Sequence, residues 1–287
     1  MNWEVSFGGF VVGILVGMTG MGGALVMTPM MIFLFGVNPT VAVGTDLVYS
    51  SITKMFGAWQ HWRQKTVDWK VVRLLSTGSV PGALAGALTM MLLQKSYADS
   101  VQGIVGKVLG LTYLLIALFM IWQMLRKLAD MRQQRLELRA ASQAETAATR
   151  QELAAAVQDG TLAQAPAEIV PDARKMIWLG LIAGFVVGLT SVGSGTLFMA
   201  FLVLIYPVAV ARLVGTDIVQ AVLVTGVAGL AHMSMGNVDL HLVGQLLIGS
   251  IPGILIGSRM TTKIPENFVR SSLVVLIFLA GFKMLMK

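Results

Sequence analysis

The sequence predicts an all-α, polytopic membrane fold: two inverted repeats, each a broken or re-entrant helical hairpin followed by three transmembrane helices. Three observations predict it. Hydrophobic residues make up 56% of the 287 and charged residues only 12%, against about 25% charged in soluble domains. The apolar residues gather into long segments at 5–35, 41–60, 71–93, 101–125, 176–206, 213–235, 242–260 and 268–286, and a helix needs roughly 20 residues to cross a bilayer. Finally, the last four segments repeat the first four.

The repeat is in register. An offset of 171 carries Gly13 to Gly184 and Gly86 to Gly257 without a gap, and between them it superposes recognisable words. Val43-Gly44-Thr45-Asp46 meets Val214-Gly215-Thr216-Asp217, His61 meets His232, Val67-Asp68 meets Val238-Asp239, and Ser79 with Pro81-Gly82 meets Ser250 with Pro252-Gly253. Internal duplication of this kind marks several transporter folds, in which solute sits near the midplane between the repeats.

The first segment of each half is too long for one simple crossing. Segments 5–35 and 176–206 are interrupted by Gly17-Met-Thr-Gly-Met-Gly-Gly23 and by Gly188-Leu-Thr-Ser-Val-Gly-Ser-Gly195. Each could be a tilted broken span or a hairpin of two half-helices. The next segments, 41–60 and 71–93, are joined by a connection carrying Arg63, Lys65 and Lys70, with Arg73 just beyond. After 101–125 comes a different region, 126–175, rich in Arg, Gln, Glu and Ala and then punctuated by Gly160, Pro166 and Pro171. It reads as a water-exposed linker, helical in its first part. The expected organisation is therefore a first membrane repeat at 1–125, the linker at 126–175 and a second repeat at 176–287.

Basic residues choose between hairpins and broken spans. Arg126, Lys127, Arg132, Arg135, Arg174 and Lys175 flank the linker, which the positive-inside rule places in the cytoplasm. A full span at 176–206 would then put Arg212, Arg259, Lys263 and Arg270 outside. A hairpin reverses this and leaves three spans per half, an odd number that inverts the repeats. Hairpins are the expectation, although they leave Lys283 and Lys287 outside. The amino terminus, with Glu4 and no basic residue through Ser6, lacks the positive region of a cleavable signal peptide and is expected to stay on the protein.

Irregular backbone at membrane depth is tolerated only where it is buried in protein or lines a cavity. The two breaks are thus candidate substrate sites: Thr19, Gly20, Met21, Gly22 and Gly23 in one, Thr190, Ser191, Gly193, Ser194 and Gly195 in the other. Glycines let a ligand approach the backbone, a following half-helix offers N–H groups to an anion, and the hydroxyls add donors. Close helix packing is the alternative use of such small residues. Asp46 and Asp217 lie inside apolar segments, where a carboxylate is costly. They could relay a proton or cation, or brace the broken backbone; beside an anion they belong one layer back, with Thr45 and Thr216 facing the pocket. Lys54, eight residues after Asp46, shares its helix face and could pair with either aspartate or attract an anion; its repeat partner is Thr225. His61 and His232 sit at segment ends, where interfacial packing competes with a pH-responsive role.

Other functions are poorly supported. The chain has no cysteine, three scattered histidines and 19 methionines spread through the apolar segments, so no metal-ligand spacing emerges. No Walker loop, nucleophile grouping or catalytic carboxylate pair is evident, so no catalytic residue, enzyme activity or cofactor is expected. The net charge of +7 reports membrane topology rather than nucleic-acid binding.

The run Gly13 to Gly23, followed by Asn38-Pro39, Val43 to Asp46 and Ser79 to Gly82, with its second copy from Gly184 to Gly257, resembles the TauE/SafE family of sulfite and organosulfonate exporters, also grouped as anion permeases. The resemblance covers both membrane halves but not the linker, which is unusually long. It implies a multi-pass protein of the bacterial inner membrane that moves a small sulfur-containing oxyanion, usually outward. Its Gly-rich breaks fall on Thr19–Gly23 and Thr190–Gly195, and its Gly-Thr-Asp motifs on Gly44–Asp46 and Gly215–Asp217. The expected partners are that anion and the lipid bilayer; a homodimer is allowed but not required. The alternative is a proton- or cation-coupled importer of another solute that uses Asp46 and Asp217. A scaffold or sensor acting through the linker is a third reading.

Overall fold

A computed structural model describes residues 3–19, 24–97, 100–148, 172–193, 195, 198–199, 202, 206, 210–260 and 266–286. Within them the secondary structure is helical: α1 Trp3–Thr19, α2 Ala24–Phe33, α3 Pro39–Arg63, α4 Trp69–Ser96, α5 Val101–Ala148, α6 Ala173–Thr190, α7 Val210–Ser234, α8 Leu240–Met260 and α9 Glu266–Leu285. Among the described residues five stretches are long and apolar enough to cross a membrane: Trp69–Ser96, Val101–Arg126, Ala173–Thr190, Arg212–Ser234 and Leu240–Gly257. With 25 residues, α3 also has the length, about 37 Å at 1.5 Å per residue. It is more polar than those five, and its Thr40, Thr45, Asp46, Tyr49 and Ser50 are buried.

Local chemistry sets the helix ends. Asp68 accepts from the backbone N–H of Lys70 (3.0 Å) and Val71 (3.3 Å) to start α4. Asp172 accepts from Arg174 (3.1 Å) and Lys175 (3.4 Å) to start α6, and Asp239 accepts from Leu242 (2.9 Å) to start α8. These are N-caps, each satisfying N–H groups that a helix leaves orphaned. The chain falls into two compact units, residues 1–115 with 169–287, and residues 116–168. Within the second, Trp122 stacks at a tilt on Phe119 with ring centroids 5.8 Å apart and carries the Arg126 guanidinium 3.8 Å from its ring centroid, an arrangement suited to a membrane interface.

In the first unit the two halves exchange elements. Helix α1 packs on α8, and its repeat equivalent α6 packs on α4. The contacts correspond residue for residue under the offset of 171: a Cβ on Gly78 would strike the Ile177 carbonyl and one on Gly249 the Ser6 carbonyl, just as Gly82 faces Leu181 and Gly253 faces Phe10. Both pairs run parallel, and both need glycine because the backbones touch. Between them α3 and α7 cross antiparallel, with Gly44 against His232 and Asn237, Gly229 against Val48, and Gly57 against Ile218. At the crossing the Ser51 hydroxyl donates to the Val222 carbonyl (3.4 Å). Ser51 and Val222 are repeat equivalents, so this contact marks a local two-fold axis perpendicular to the two helices.

Helix α2 folds back along α1: Met30 and Phe35 approach Gly8 near the start of α1, so the first segment is a hairpin. In the second half α6 ends at Thr190, and Ser191 takes a left-handed conformation with φ 63°.

Candidate functional site

The end of α6 is where the second sequence-predicted break lies. Thr190, Ser191, Val192 and Gly193 are buried there in a turn, with Gly193 at φ 100°. Such a φ favours glycine. Thr190 donates its hydroxyl to the Val186 carbonyl (2.6 Å) and accepts from the Val192 N–H (3.3 Å). Gly195 is half-buried in the same turn. Across the repeat boundary the Ser191 hydroxyl donates to Asp46 Oδ2, and His232 Nε2–H donates to the Gly188 carbonyl (2.8 Å). The broken backbone is therefore held on one side by α3 of the first half and on the other by α7 of its own half.

Asp46 is fully buried. The hydroxyls of Thr28 on α2 and Ser50 on α3 reach toward its carboxylate, and the Tyr113 hydroxyl of α5 lies beside Thr28. On α3 the Tyr49 hydroxyl faces Ser250 of α8. These groups have no hydrogen-bond partner at Thr28 Oγ1, Ser50 Oγ, Tyr49 OH, Tyr113 OH, Ser250 Oγ and Asp46 Oδ1. Buried polar atoms are normally paired, and leaving one unpaired costs about 1–3 kcal/mol. A cluster of them around one buried carboxylate marks a candidate site.

The repeat-equivalent corner differs. Asp217 on α7 has an unpartnered Oδ1 and interacts electrostatically with Lys54, which also acts, more weakly, on Asp46. Where Tyr49 faces Ser250 in one corner, Gln220 donates to Ser79 Oγ (2.7 Å) in the other. Tyr49 and Gln220, like Ser250 and Ser79, are equivalents under the repeat.

Thr45 and Thr216 bind the opposite half. Thr45 Oγ1 accepts from the Asp239 N–H (3.0 Å) and Thr216 Oγ1 from the Asp68 N–H (2.9 Å), a pair of bonds related by the offset of 171. Thr216 also donates to the Arg212 carbonyl (2.7 Å). Reciprocal bonds between Gln94 and Asn237, 2.7 and 3.1 Å, join the halves at one end, and Tyr206 donates to Asp68 Oδ2 (2.9 Å). His61 Nδ1 lies 2.9 Å from Thr66 Oγ1 and thus has a different environment from His232. Gly20, Met21, Gly22, Gly23 and Ser194 lie outside the described residues, as does the side chain of Thr19. Sequence reasoning overlooked Thr28, Tyr49, Ser50, Tyr113, Gln220 and Ser250; each is a polar residue inside an apolar segment, which is itself the signal that could have found them.

Two surface clefts differ in charge. One, of about 570 Å³, is lined by Glu4, Phe35, Asp239, His241 and Gln245 among others. The other, of about 500 Å³, is formed by Trp62, Arg63, Lys65, Val67 and Trp69.

Exchange-related halves around a buried polar core with broken backbone define a helical membrane transporter. Residues 5–284 match the family described as "Sulfite exporter TauE/SafE", and the chain belongs to that family. It is similar to three proteins of Bacillus subtilis (strain 168). The "Probable membrane transporter protein YjnA" is 36% identical over 99% of this chain and 100% of its own. YdhB and YunE, each also described as a "Probable membrane transporter protein", are 22% and 25% identical, covering 96% and 93% of this chain and 97% and 93% of their own. No solved structure matches it.

Proposed function

We propose that this transporter carries a small sulfur-containing oxyanion, sulfite or an organosulfonate, outward across the bacterial inner membrane, through the core between the two Gly-rich breaks. The observation that supports this reading is the cluster of unpaired hydroxyls around Asp46, whose carboxylate accepts from Ser191 in the turn after α6. A sulfonate has three oxygens, each in need of a donor, and neutral donors release it more readily than a cluster of arginines would. The antiparallel crossing of α3 and α7 supports repeats inverted in the bilayer, and the basic residues flanking the 126–175 linker support its cytoplasmic side. On this reading Thr45 and Thr216 hold the halves together, while Ser191 and Thr190 border the pocket. An anion leaving a negative interior gains about 2.3 kcal/mol per charge for each 100 mV, so outward flux needs no coupling ion. Flux of labelled sulfite and sulfoacetate from proteoliposomes under an imposed potential, without a proton or sodium gradient, tests this. Potential-driven flux of either is expected; none of either, with a carboxylate moving instead, contradicts it.

One observation favours the second reading, a cation-coupled importer. Asp46 has an unpartnered carboxylate oxygen with the hydroxyls of Thr28 and Ser50 nearby, which suits a coupling cation. Flux that needs an inward cation gradient would select it.

A further inference from the structure

We propose that Asp46 and the hydroxyls around it form a binding site for a dehydrated sodium ion, and that Asp217, its repeat equivalent, does not. This deepens the cation-coupled reading and rests on it only for the consequence to flux.

The two aspartates occupy equivalent positions but have different surroundings. Asp217 interacts with the ammonium of Lys54, contributed by the other half. The residue equivalent to Lys54 is Thr225, whose hydroxyl donates to the Ala221 carbonyl (2.8 Å) on its own helix. No second lysine stands in the matching place for Asp46. Instead the chain has Thr28 where the repeat has Met199, Ser50 where it has Ala221, and Tyr113 where it has Met284. Three oxygen-bearing side chains replace three apolar ones around Asp46 alone.

Those oxygens suit a hard monovalent cation. The oxygens of Thr28, Ser50 and Tyr113 and Asp46 Oδ1 are buried without partners, and Ser191 Oγ holds the other carboxylate oxygen. Hard cations take oxygen ligands of this kind. A single carboxylate balances a single positive charge, and among the described residues no three His, Cys, Asp or Glu side chains group as a transition-metal site would require. The charged and titratable groups acting on this corner are Lys54, Tyr49 and Tyr113, and Lys54 is shared with Asp217. With all carboxylates ionised, Asp46, Asp217 and Lys54 together carry one excess negative charge, and one sodium ion cancels it. Neutralising Asp46 also removes the charge that would repel an anion from the neighbouring hydroxyls, which links the two binding events.

The test is the melting temperature of the purified full chain in detergent, at fixed pH and ionic strength, as sodium replaces choline. A saturable rise with sodium is expected. It should vanish in Asp46→Asn, and the half-saturating sodium concentration should rise about tenfold in Thr28→Val, which loses one ligand. No rise as sodium replaces choline, or one that persists in Asp46→Asn, overturns the proposal. So does the same rise obtained by lowering pH without sodium, which would make the site a proton site. If Asp46→Asn does not fold, Thr28→Val and Ser50→Ala decide: an unchanged sodium midpoint in both overturns it. Stabilisation by taurine or sulfite in sodium-free choline buffer reads the anion proposal separately.

Discussion

At the residue scale, the threonines of the paired Val-Gly-Thr-Asp words show how one sequence motif serves two ends. Thr45 and Thr216 accept backbone N–H groups at the N-caps of α8 and α4, 3.0 and 2.9 Å away, while the aspartates that follow them point into the core. Thr45→Val and Thr216→Val each leave a part-buried N–H without its acceptor, at a cost of about 1–3 kcal/mol. Because the two bonds are equivalents, the losses should match within about 1 kcal/mol in denaturant titrations, that being a typical hydrogen bond's net worth. A large loss at one and none at the other would deny the symmetry. The motif was legible in the sequence; its target was not, since the acceptor and the N-cap it serves lie 194 residues apart for Thr45 and 148 for Thr216. Asp172 gives a pH-dependent case outside the spanning segments. Hydrogen bonds from the Lys175 N–H, and then from that of Arg174, hold its carboxyl below the usual range. A depressed carboxyl stabilises the cap above its unfolded pKa and loses that contribution as pH falls through the folded one. Acid should therefore fray the start of α6, followed by NMR, and Asp172→Asn should make that fraying insensitive to pH.

At the scale of elements, glycine decides which helices may touch. Gly78 and Gly249 sit where backbones of α4 and α6, and of α8 and α1, meet, whereas a Cβ added to Gly103 on α5 would meet nothing within 4 Å. Gly78→Ala should destabilise the protein by about 1–3 kcal/mol through overpacking. Gly103→Ala should instead gain up to about 1 kcal/mol of helix propensity. Thermal and denaturant unfolding of the two variants would check both signs. The helical segments themselves were readable from apolar runs, and the separation of α1 from α2 from the glycines between them. The polarity of α3 was partly readable: Asp46 and Lys54 stood out, but Tyr49 and Ser50 did not. Their meaning comes from their neighbours: Ser50 reaches Asp46, which Thr28 approaches from α2, and Tyr49 faces Ser250 of α8.

At the scale of the molecule, the exchange of elements about the Ser51–Val222 contact makes each half incomplete alone. Antiparallel α3 and α7 place the connection after Arg63 and the connection after Ser234 at opposite ends of the crossing pair. If both helices span the bilayer, a thiol introduced as Lys65→Cys should be labelled from the cytoplasm and one introduced as Met235→Cys from outside. The natural chain has no cysteine, so each label reports one site; labelling of both from the same side would end the inverted reading. The offset of 171 announced the duplication, but parallel packing of α1 on α8 could not be read from it, because a repeat does not say whether equivalent helices pair within a half or across halves.

The central claim is that the hydroxyl cluster beside Asp46 belongs to the path of the transported anion. Substituting Ser50→Cys in the full chain and following its reaction with a small water-soluble thiol reagent, with and without a sulfonate such as taurine, tests this most directly. The account predicts that the thiol reacts and that the sulfonate slows it. A thiol that never reacts, or reacts equally fast with sulfonate present, would contradict it.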